Sequence, residues 1–495
     1  MLWPFGRKTP PAIVTERPTA RRGRRSYEAA IRNRVTQDWV ESRTDANREI
    51  RDALETVRAN SREAERNSGY YNRALSMLVT GVCGSRGFLL KSLATNPDGR
   101  ADAIARDIIE THWREFAQGR ITIDGRHDLN SALQLIVRSW LRDGEVFVRK
   151  VIRNGRPAIQ ILEADFVPVR LDDPDRNIFS GVEIDRSGRP IAYHIATRHP
   201  GAHPYTTATN PETIRVPADE VLHLYMEERP GQLRGVPMGA SALSQLRLLK
   251  GYMDAEMTAA RMQSARPAAI EQAETAAEEF TGDTAHDDDE EPPIEVDLSV
   301  GGVTLLPPGH KMVWNSATHP GGTFDPFVRA CIRSFASAMG VSYALLARDL
   351  GSVNYSSLRI ENQHQSRAME TLQRHVVSTV LQPLFEFVLS VDLMAGRVGN
   401  GRIVLRADRI DKYRQGRWVP QPHPIVERTD IEDSRERIRL GVSTLTEEAL
   451  RLTGRELDEI VRERKAEREL LIANGLIDVL QQDATAAQNA ATGEE

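Results

Sequence analysis

The sequence predicts an α+β fold, and three observations predict it. Apolar residues recur at helical spacing from Tyr27 to Trp140, the pattern changes to period two between Glu145 and Leu224, and long helical patterns return from Gly239 onward. At 495 residues, 40% hydrophobic and 27% charged, the chain is long enough for two or three core-forming units. Lys+Arg 65 against Asp+Glu 70 leaves a net charge of -5, which excludes a uniformly basic nucleic-acid binder. No stretch approaches the roughly 18 uninterrupted apolar residues of a membrane span. The opening MLWPFGRKTPPAI is too short in apolar residues, and too broken by proline, for a secretory signal. Cys83 and Cys331 lack metal-ligand spacing and read as buried thiols of a reducing compartment.

Taken in order, residues 1–25 carry Arg21, Arg22, Arg24 and Arg25 without apolar periodicity and read as a mobile basic arm. Tyr27–Trp39 and Ala46–Asn60 read as helices, leading into Arg58, Arg62 and Arg66. Tyr70–Val79 is a third, broken by Gly81, Gly84 and Gly87. Ala101–Phe116 has Ile104, Ile108, Ile109, Trp113 and Phe116 at helical spacing, and Asp128 caps a further helix through Leu133, Ile136, Val137 and Trp140. Strands follow at Val146 and Val148, Ile159 and Ile161, Val182 and Ile184, Ile191 to Ile195, and Val221 to Leu224. Arg153-Asn154-Gly155-Arg156 is hairpin chemistry between two of them.

Gly239–Met262 reads as one long helix with Leu243, Leu246, Leu249, Tyr252, Met253 and Met257 on one face and Lys250 off it. An insertion follows, with strand-like pieces at Val303–Leu306 and Lys311–Trp314 and an acidic run, Asp287, Asp288, Asp289, Glu290 and Glu291. That run reads as a solvated loop, a docking surface for a basic partner, or a divalent-ion site. Asp325-Pro326 starts a helix whose stripe is Phe327, Cys331, Phe335 and Met339, and Gly340 ends it. Val341–Tyr355, with Arg348, Asp349, Ser352 and Asn354, reads as an irregular loop too long for a simple turn. Ser356 or Ser357 then caps a helix through Ile360, Met369, Leu372, Val376, Val380, Leu384 and Val388, kinked at Pro383. A short strand at Ile403–Leu405, an extended loop at Trp418–Pro424 and helices at Ile431–Leu440, Thr446–Thr453 and Glu456–Leu471 complete the chain, with a frayed tail after Asp483.

Catalytic and cofactor motifs are weak throughout. Gly81, Gly84 and Gly87 do not make a dinucleotide fingerprint, and Gly340-Val341-Ser342-Tyr343-Ala344 lacks both the final glycine and the preceding strand of a nucleophile elbow. Glu361 and His364 have metal-bundle spacing without a second copy. His194, His199 and His203 could cluster, and Asp172, Asp173 and Asp175 flank Pro174 as a turn would. No catalytic residue, metal site or cofactor is therefore assigned. A metal-dependent hydrolase on Asp172/Asp175 and Glu361/His364, and a scaffold acting through the arm and the acidic run, are the alternatives.

The segment EERPGQLRGVPMGASALSQLRLLKGYMDAEMTAARMQSARPAAI resembles the central block of the lambda-type tailed-phage portal proteins. Further matches are VRANSREAERNSGYYNRAL, HWREFAQGRITIDGRHDLN, RDGEVFVRK, GVEIDRSGRPIAYHI, VPADEVLHLY and GGTFDPFVRACIRSFASAMGVSYALLARDLGSVNYSSLRIENQ, so the resemblance covers about residues 27–430. It implies a portal fold assembled as a ring: a mixed helix/strand wing (26–238), stem helices (239–267 and 323–340), a small clip (268–322), a tunnel loop (341–356), a kinked helix with wing return (357–430) and a helical crown with its tail (431–495). It also implies a non-enzymatic, homododecameric channel for double-stranded DNA at one capsid vertex, assembled in the host cytoplasm. Its implied partners are the terminase large subunit, the major capsid or scaffolding protein and a head-tail adaptor, with no membrane. Arg348, Asp349, Ser352, Asn354 and Lys250 become candidate channel residues, Asp287–Glu291 a candidate docking surface, and removal of Val341–Asn354 is expected to spare ring assembly while impairing DNA retention or packaging.

Overall fold

The computed structural model describes residues 44–84, 87–202, 212–264, 268–272, 310–314, 324–349, 351, 355–399, 401, 403–420, 428–453 and 457–474. The basic arm, the Tyr27–Trp39 pattern, His203, the acidic run, Val303–Leu306, Ser352, Asn354 and the tail lie outside them.

Four helices come first: α1 (Ala46–Asn67), α2 (Gly69–Cys83), α3 (Ala103–Gln118) and α4 (Leu129–Asp143). Side-chain oxygens open the last three, Ser68 accepting from the Tyr71 amide at 3.4 Å, Asp102 from Ala105 at 3.1 Å and Asp128 from Ser131 at 2.8 Å. α2 runs past Val79 and through Gly81, contrary to the sequence expectation, and ends on Gly84 at φ +69°. Packing overrides propensity here: a Cβ on Gly81 would lie 2.9 Å from the Met369 sulfur, so glycine permits the approach of a later helix. Ile104, expected on the buried stripe of α3, is 56% exposed.

β1 (Phe88–Ser92) pairs antiparallel with a strand from the far end of the chain, described below. β2 (Glu145–Arg153) and β3 (Arg156–Leu162) form the expected hairpin, whose Asn154 (φ +52°) and Gly155 (φ +72°) are both left-handed, as a two-residue turn of this kind requires. β4 (Ile178–Phe179), β5 (Val182–Ile184), β6 (Pro190–Ala196) and β7 (Thr213–Pro217) make a four-stranded antiparallel sheet in chain order, and β8 (Val221–Tyr225) joins the hairpin in the order β3-β2-β8. Both sheets are open and antiparallel, and with the helices they make the fold α+β.

After a 3-10 turn at Ala240–Ala242, α5 (Leu243–Ser264) leads to β9 (Ala268–Gln272), which pairs antiparallel with β10 (His310–Trp314) before α6 (Phe324–Met339) returns. α5 and α6 run antiparallel: Ser334 donates to Gln245 at 3.0 Å, and Tyr252 packs its ring on Phe324 and Phe327 at 5.8 and 5.0 Å. Their near halves are in the core, with Leu246, Leu249, Phe335 and Met339 buried. Further out Tyr252, Met257 and Phe327 are exposed, as is Leu248. Cys331, expected to be buried, is only half-buried there.

α7 (Tyr343–Ala347), α8 (Tyr355–Val376) and α9 (Gln382–Met394) follow, the last two joined by a π-helical turn at Val377–Leu381 immediately before Pro383. In that turn the Gln382 amide reaches back five residues to the Val377 carbonyl, directly ahead of the proline that has no amide to donate. α8 is already helical at Tyr355, so Ser356 and Ser357 lie inside its first turn and are not its N-cap. The helix from Arg359 to Met394 is apolar enough to cross a bilayer by composition, but Met369, Leu372, Val376, Val380, Leu384 and Val388 are buried in this fold's own core. Ile403–Leu405 is only an isolated bridge, Gly399 to Val404. Beyond α10 (Ile410–Tyr413), the first part of the expected extended loop, Trp418–Pro420, belongs instead to a strand, β11 (Gly416–Pro420), because β1 supplies it with a five-residue register; residues 421–424 lie outside the described residues. α11 (Arg428–Arg439), α12 (Leu445–Thr453) and α13 (Leu457–Ala473) close the chain.

A buried charge network ties the first helices to the sheet. Glu145 opens β2, is 0% exposed, and accepts from Arg58 of α1 (2.9 Å), from Arg234 (2.8 Å from Nε to Oε1), from His223 of β8 (3.0 Å) and from the Gly235 amide (2.9 Å). Arg234 also donates to the carbonyls of Ala164, Val167 and Ser180, the last at 2.6 Å. It thereby helps hold Ser180 at φ +51°, a backbone region that disfavours a side chain. Beside it Asp143 accepts from Arg62 and Arg142 at 2.8 and 2.9 Å. Burial alone would raise the Glu145 pKa above its ordinary 4.5, but Arg234, His223 and Arg58 outweigh it and hold the group well below. His223, stacked between Phe147 and Tyr225 at 4.2 and 4.3 Å, is pushed below 6.5 by burial and is neutral.

These shifts share one sign, since the folded state binds fewer protons than the unfolded. Their stabilisation is complete above pH 6.5 and falls on acidification, the His223 part first and the Glu145 and Asp143 parts below their ordinary 4.5 and 3.8. Urea midpoints are expected to drop between pH 7 and 5, and His223→Phe to flatten that slope. Arg234→Ala, which leaves Glu145 buried without its main partner, is expected to cost about 3–5 kcal/mol by the same measurement.

Candidate functional site

The corner joining α6 to α8 is built from two left-handed turns. Gly340 ends α6 at φ +65°, with its own amide on Ser337 O (3.1 Å) and the Val341 amide on Ala336 O (3.0 Å). Ser342 then caps α7 by accepting from the Leu345 amide at 3.3 Å. The expected irregular loop is thus folded in its first half, and Val341, Ala344 and Leu346 are buried. Excising Val341–Asn354 would remove buried Val341, Ala344 and Leu346 and open the core, which counts against the expectation that ring assembly survives loss of this whole span. Ser342 ahead of Tyr-Ala-Leu-Leu-Ala was the readable signal for the short helix.

α7 is pinned to α2 by Arg73, whose Nη2 and Nε reach Leu345 O at 2.8 and 3.2 Å. Arg348 follows at φ +55°, a region that disfavours a side-chain-bearing residue by roughly 1–2 kcal/mol. The Asp349 amide closes the turn on Ala344 O at 3.1 Å. The Asp349 carboxylate accepts from the Tyr343 hydroxyl at 3.0 Å and lies 3.5 Å from Arg329, while Arg333 stands over the Tyr343 ring at 5.0 Å. Burial, reinforced by Asp349, raises the Tyr343 pKa, so its proton stays on the phenol. Arg348 is exposed, and among the described residues its guanidinium has no partner; Asp349 is engaged elsewhere. Lys250 is exposed on α5, likewise without a partner among the described residues. Sequence reading singled out Arg348 and Asp349 but missed Arg73, whose contact spans 272 positions.

Several of the remaining candidates are held in structural contacts. Asp173 caps the turn Pro174–Arg176, and Asp172 accepts from the Ser180 amide at 2.7 Å and pairs with Arg51. Glu361 is half-buried and His364 exposed on α8. His194 packs beside Glu183 at 3.4 Å. Glu163, Asp165 and His199 gather their ligand atoms within 4.8 Å of one another. That set fits a cation poorly: the His199 Nδ1 accepts from the Gly201 amide at 3.1 Å, which leaves the proton on Nε2, and Arg62 and Arg142 already reach Asp165 and Glu163 at 2.5 and 3.3 Å. A groove of about 1520 Å³ lies between α2, α8, β11 and α12, and the charged side chains Arg451 and Glu448 on its wall pair with each other at 2.8 Å.

Comparison with known proteins adds an independent line. The profile described as "Phage portal protein, lambda family" matches residues 32–373. The chain is 30% identical over 450 residues to the probable portal protein of Halomonas phage phiHAP-1, covering 88% of this chain and 85% of that one. It is 23% identical over 338 residues to portal protein B of Escherichia phage lambda, covering 61% and 62%. Among solved structures, a chain from the neck of an empty GTA particle aligns with a TM-score of 0.42 at 15% identity, over 79% of this chain and 92% of that one.

If Glu163, Asp165 and His199 are a charge-balanced cluster and not a metal site, adding Zn²⁺ or Mn²⁺ will leave the melting temperature unchanged. His199→Ala will respond to the metals no differently from the parent protein.

Proposed function

Because this chain belongs to the lambda family of phage portal proteins, we propose that it forms the ring at one capsid vertex through which double-stranded DNA is packaged and later leaves. The observation that carries this reading is the antiparallel pair α5 and α6, which leaves the core, carries the β9-β10 ribbon at its far end and returns to the folded corner at its near end. A stem, a clip and a tunnel loop would have this order. We assign the wing to 26–238, the stem to 239–267 and 323–340, the clip to 268–322, the tunnel loop to 341–356, the kinked helix and wing return to 357–430 and the crown to 431–495.

Leu248, Met257 and Phe327 stand exposed along the pair at 75%, 53% and 49%. In a heterologous ring the next copy covers such a face, and a dodecamer closes the contact. DNA must slide through the bore, and many fixed cation-phosphate contacts would grip it with steeply salt-dependent affinity. A net charge of -5 with isolated cations such as Arg348 and Lys250 suits passage. Ser352 and Asn354 would add polar contacts, and Asp287–Glu291 would dock a basic partner surface. The terminase large subunit, the capsid or scaffolding protein and a head-tail adaptor are the partners this role requires. The chain itself would act without catalysis, in the virion, after assembly in the host cytoplasm.

Native mass spectrometry and electron microscopy of the purified protein are expected to show a dodecameric ring with a central channel. A stable monomer at high concentration would sink the reading. Deleting residues 350–354, which spares buried Val341, Ala344 and Leu346, is expected to leave the ring intact while impairing packaging or retention of DNA; normal packaging would remove that segment from the mechanism.

A further inference from the structure

We propose that Arg73, Tyr343 and Asp349 are positioning residues that hold Arg348 outward as a preset contact for the phosphate backbone of duplex DNA. The proposal rests on the reading of the α6–α8 corner as the element facing DNA. Its starting point is the residue type at position 348. At Gly340, the other left-handed turn of the corner, glycine adopts the conformation freely; at 348 the same kind of turn carries an arginine at φ +55°. Such a conformation persists where its surroundings over-determine it, and here three contacts do so.

Arg73 fastens Leu345 O through two N–H groups, anchoring α7 on a helix whose Ala74, Leu75 and Leu78 have no exposure. The Asp349 amide closes the turn on Ala344 O. The Tyr343 hydroxyl then takes one Asp349 oxygen at 3.0 Å, with Arg329 beside it and with Arg333 over the ring fixing its plane. The acid next to Arg348 in sequence is thereby already satisfied. A guanidinium that would otherwise close on its neighbour is left exposed on a short, anchored helix end. One such cation per subunit, with no acidic partner among the described residues, is the chemistry of a weak phosphate contact and not of a base-reading or gripping site.

The test uses the full-length assembled protein and two readouts. Trypsin cleaves after arginine, so the rate of cutting between Arg348 and Asp349 reports whether the turn is held. Tyr343→Phe and Arg73→Ala are each expected to raise that rate roughly tenfold, the equivalent of one hydrogen bond to a charged group. Binding of a fluorescein-labelled DNA duplex is followed against salt in parallel. Arg348→Ala is expected to lower the slope of log K against log salt by about 0.9 per contacting subunit. Tyr343→Phe is expected to give the same loss, with none added in the double variant. Unchanged tryptic cutting in Tyr343→Phe, which removes a single oxygen and keeps the ring, would overturn the positioning role. Faster cutting together with an unchanged salt slope in Arg348→Ala would uphold the positioning role and overturn the DNA contact.

Discussion

Glu145 carries a negative charge with no solvent contact, and the rest of the fold is arranged so that this is tolerable. Three charged or polar side chains and one amide converge on it from α1, from β8 and from the segment preceding α5. Desolvating a carboxylate is strongly unfavourable unless such partners are in place, so the four elements dock together or not at all. Gly235 shows how closely: a Cβ there would lie 2.1 Å from the Gly144 carbonyl oxygen, and one on Gly144 would lie 2.4 Å from the Val236 carbonyl carbon. The network acts as a register device, placing the sheet against the first helices and setting the point from which α5 departs.

From that point the molecule changes character. The near halves of α5 and α6 share the main core, whereas their outer halves hold one another through Tyr252, Phe324 and Phe327 and leave apolar side chains in solvent. A helix pair of this kind leaves apolar surface unburied in the single chain. The corner beyond α6 is the reverse case: its polar groups are nearly all engaged, and the exposed guanidinium of Arg348 is the exception among the described residues.

Much of this was legible in advance. The hairpin turn Asn154-Gly155, the Asp128 cap and the stripe from Met369 to Val388 follow from local chemistry and periodicity, and the structure keeps each. The misses have a common cause. β11 reads as loop because its partner β1 lies more than 300 positions away, Gly81 reads as a helix stop because Met369 lies 288 positions further on, and the short helix α7 is masked by the polar residues that follow it. Of the candidate site, Arg348, Asp349 and Lys250 were named from sequence. What orders Arg348 was not, since the Asp349 contacts reach back to Tyr343 and Arg329 and Arg73 comes from a different helix.

The sequence by itself determined the α+β class, the alternation of helix and strand regions and the family, because periodicity, capping residues and family blocks are local properties of the chain. Only the tertiary structure decided that Glu145, Arg58 and Arg234 are buried together, that α7 is docked and not loose, and that Asp349 pairs with Tyr343 and Arg329 in place of Arg348. Charged residues read alike in a sequence whether solvated or buried. Their partners are chosen by distances in space that no spacing along the chain encodes.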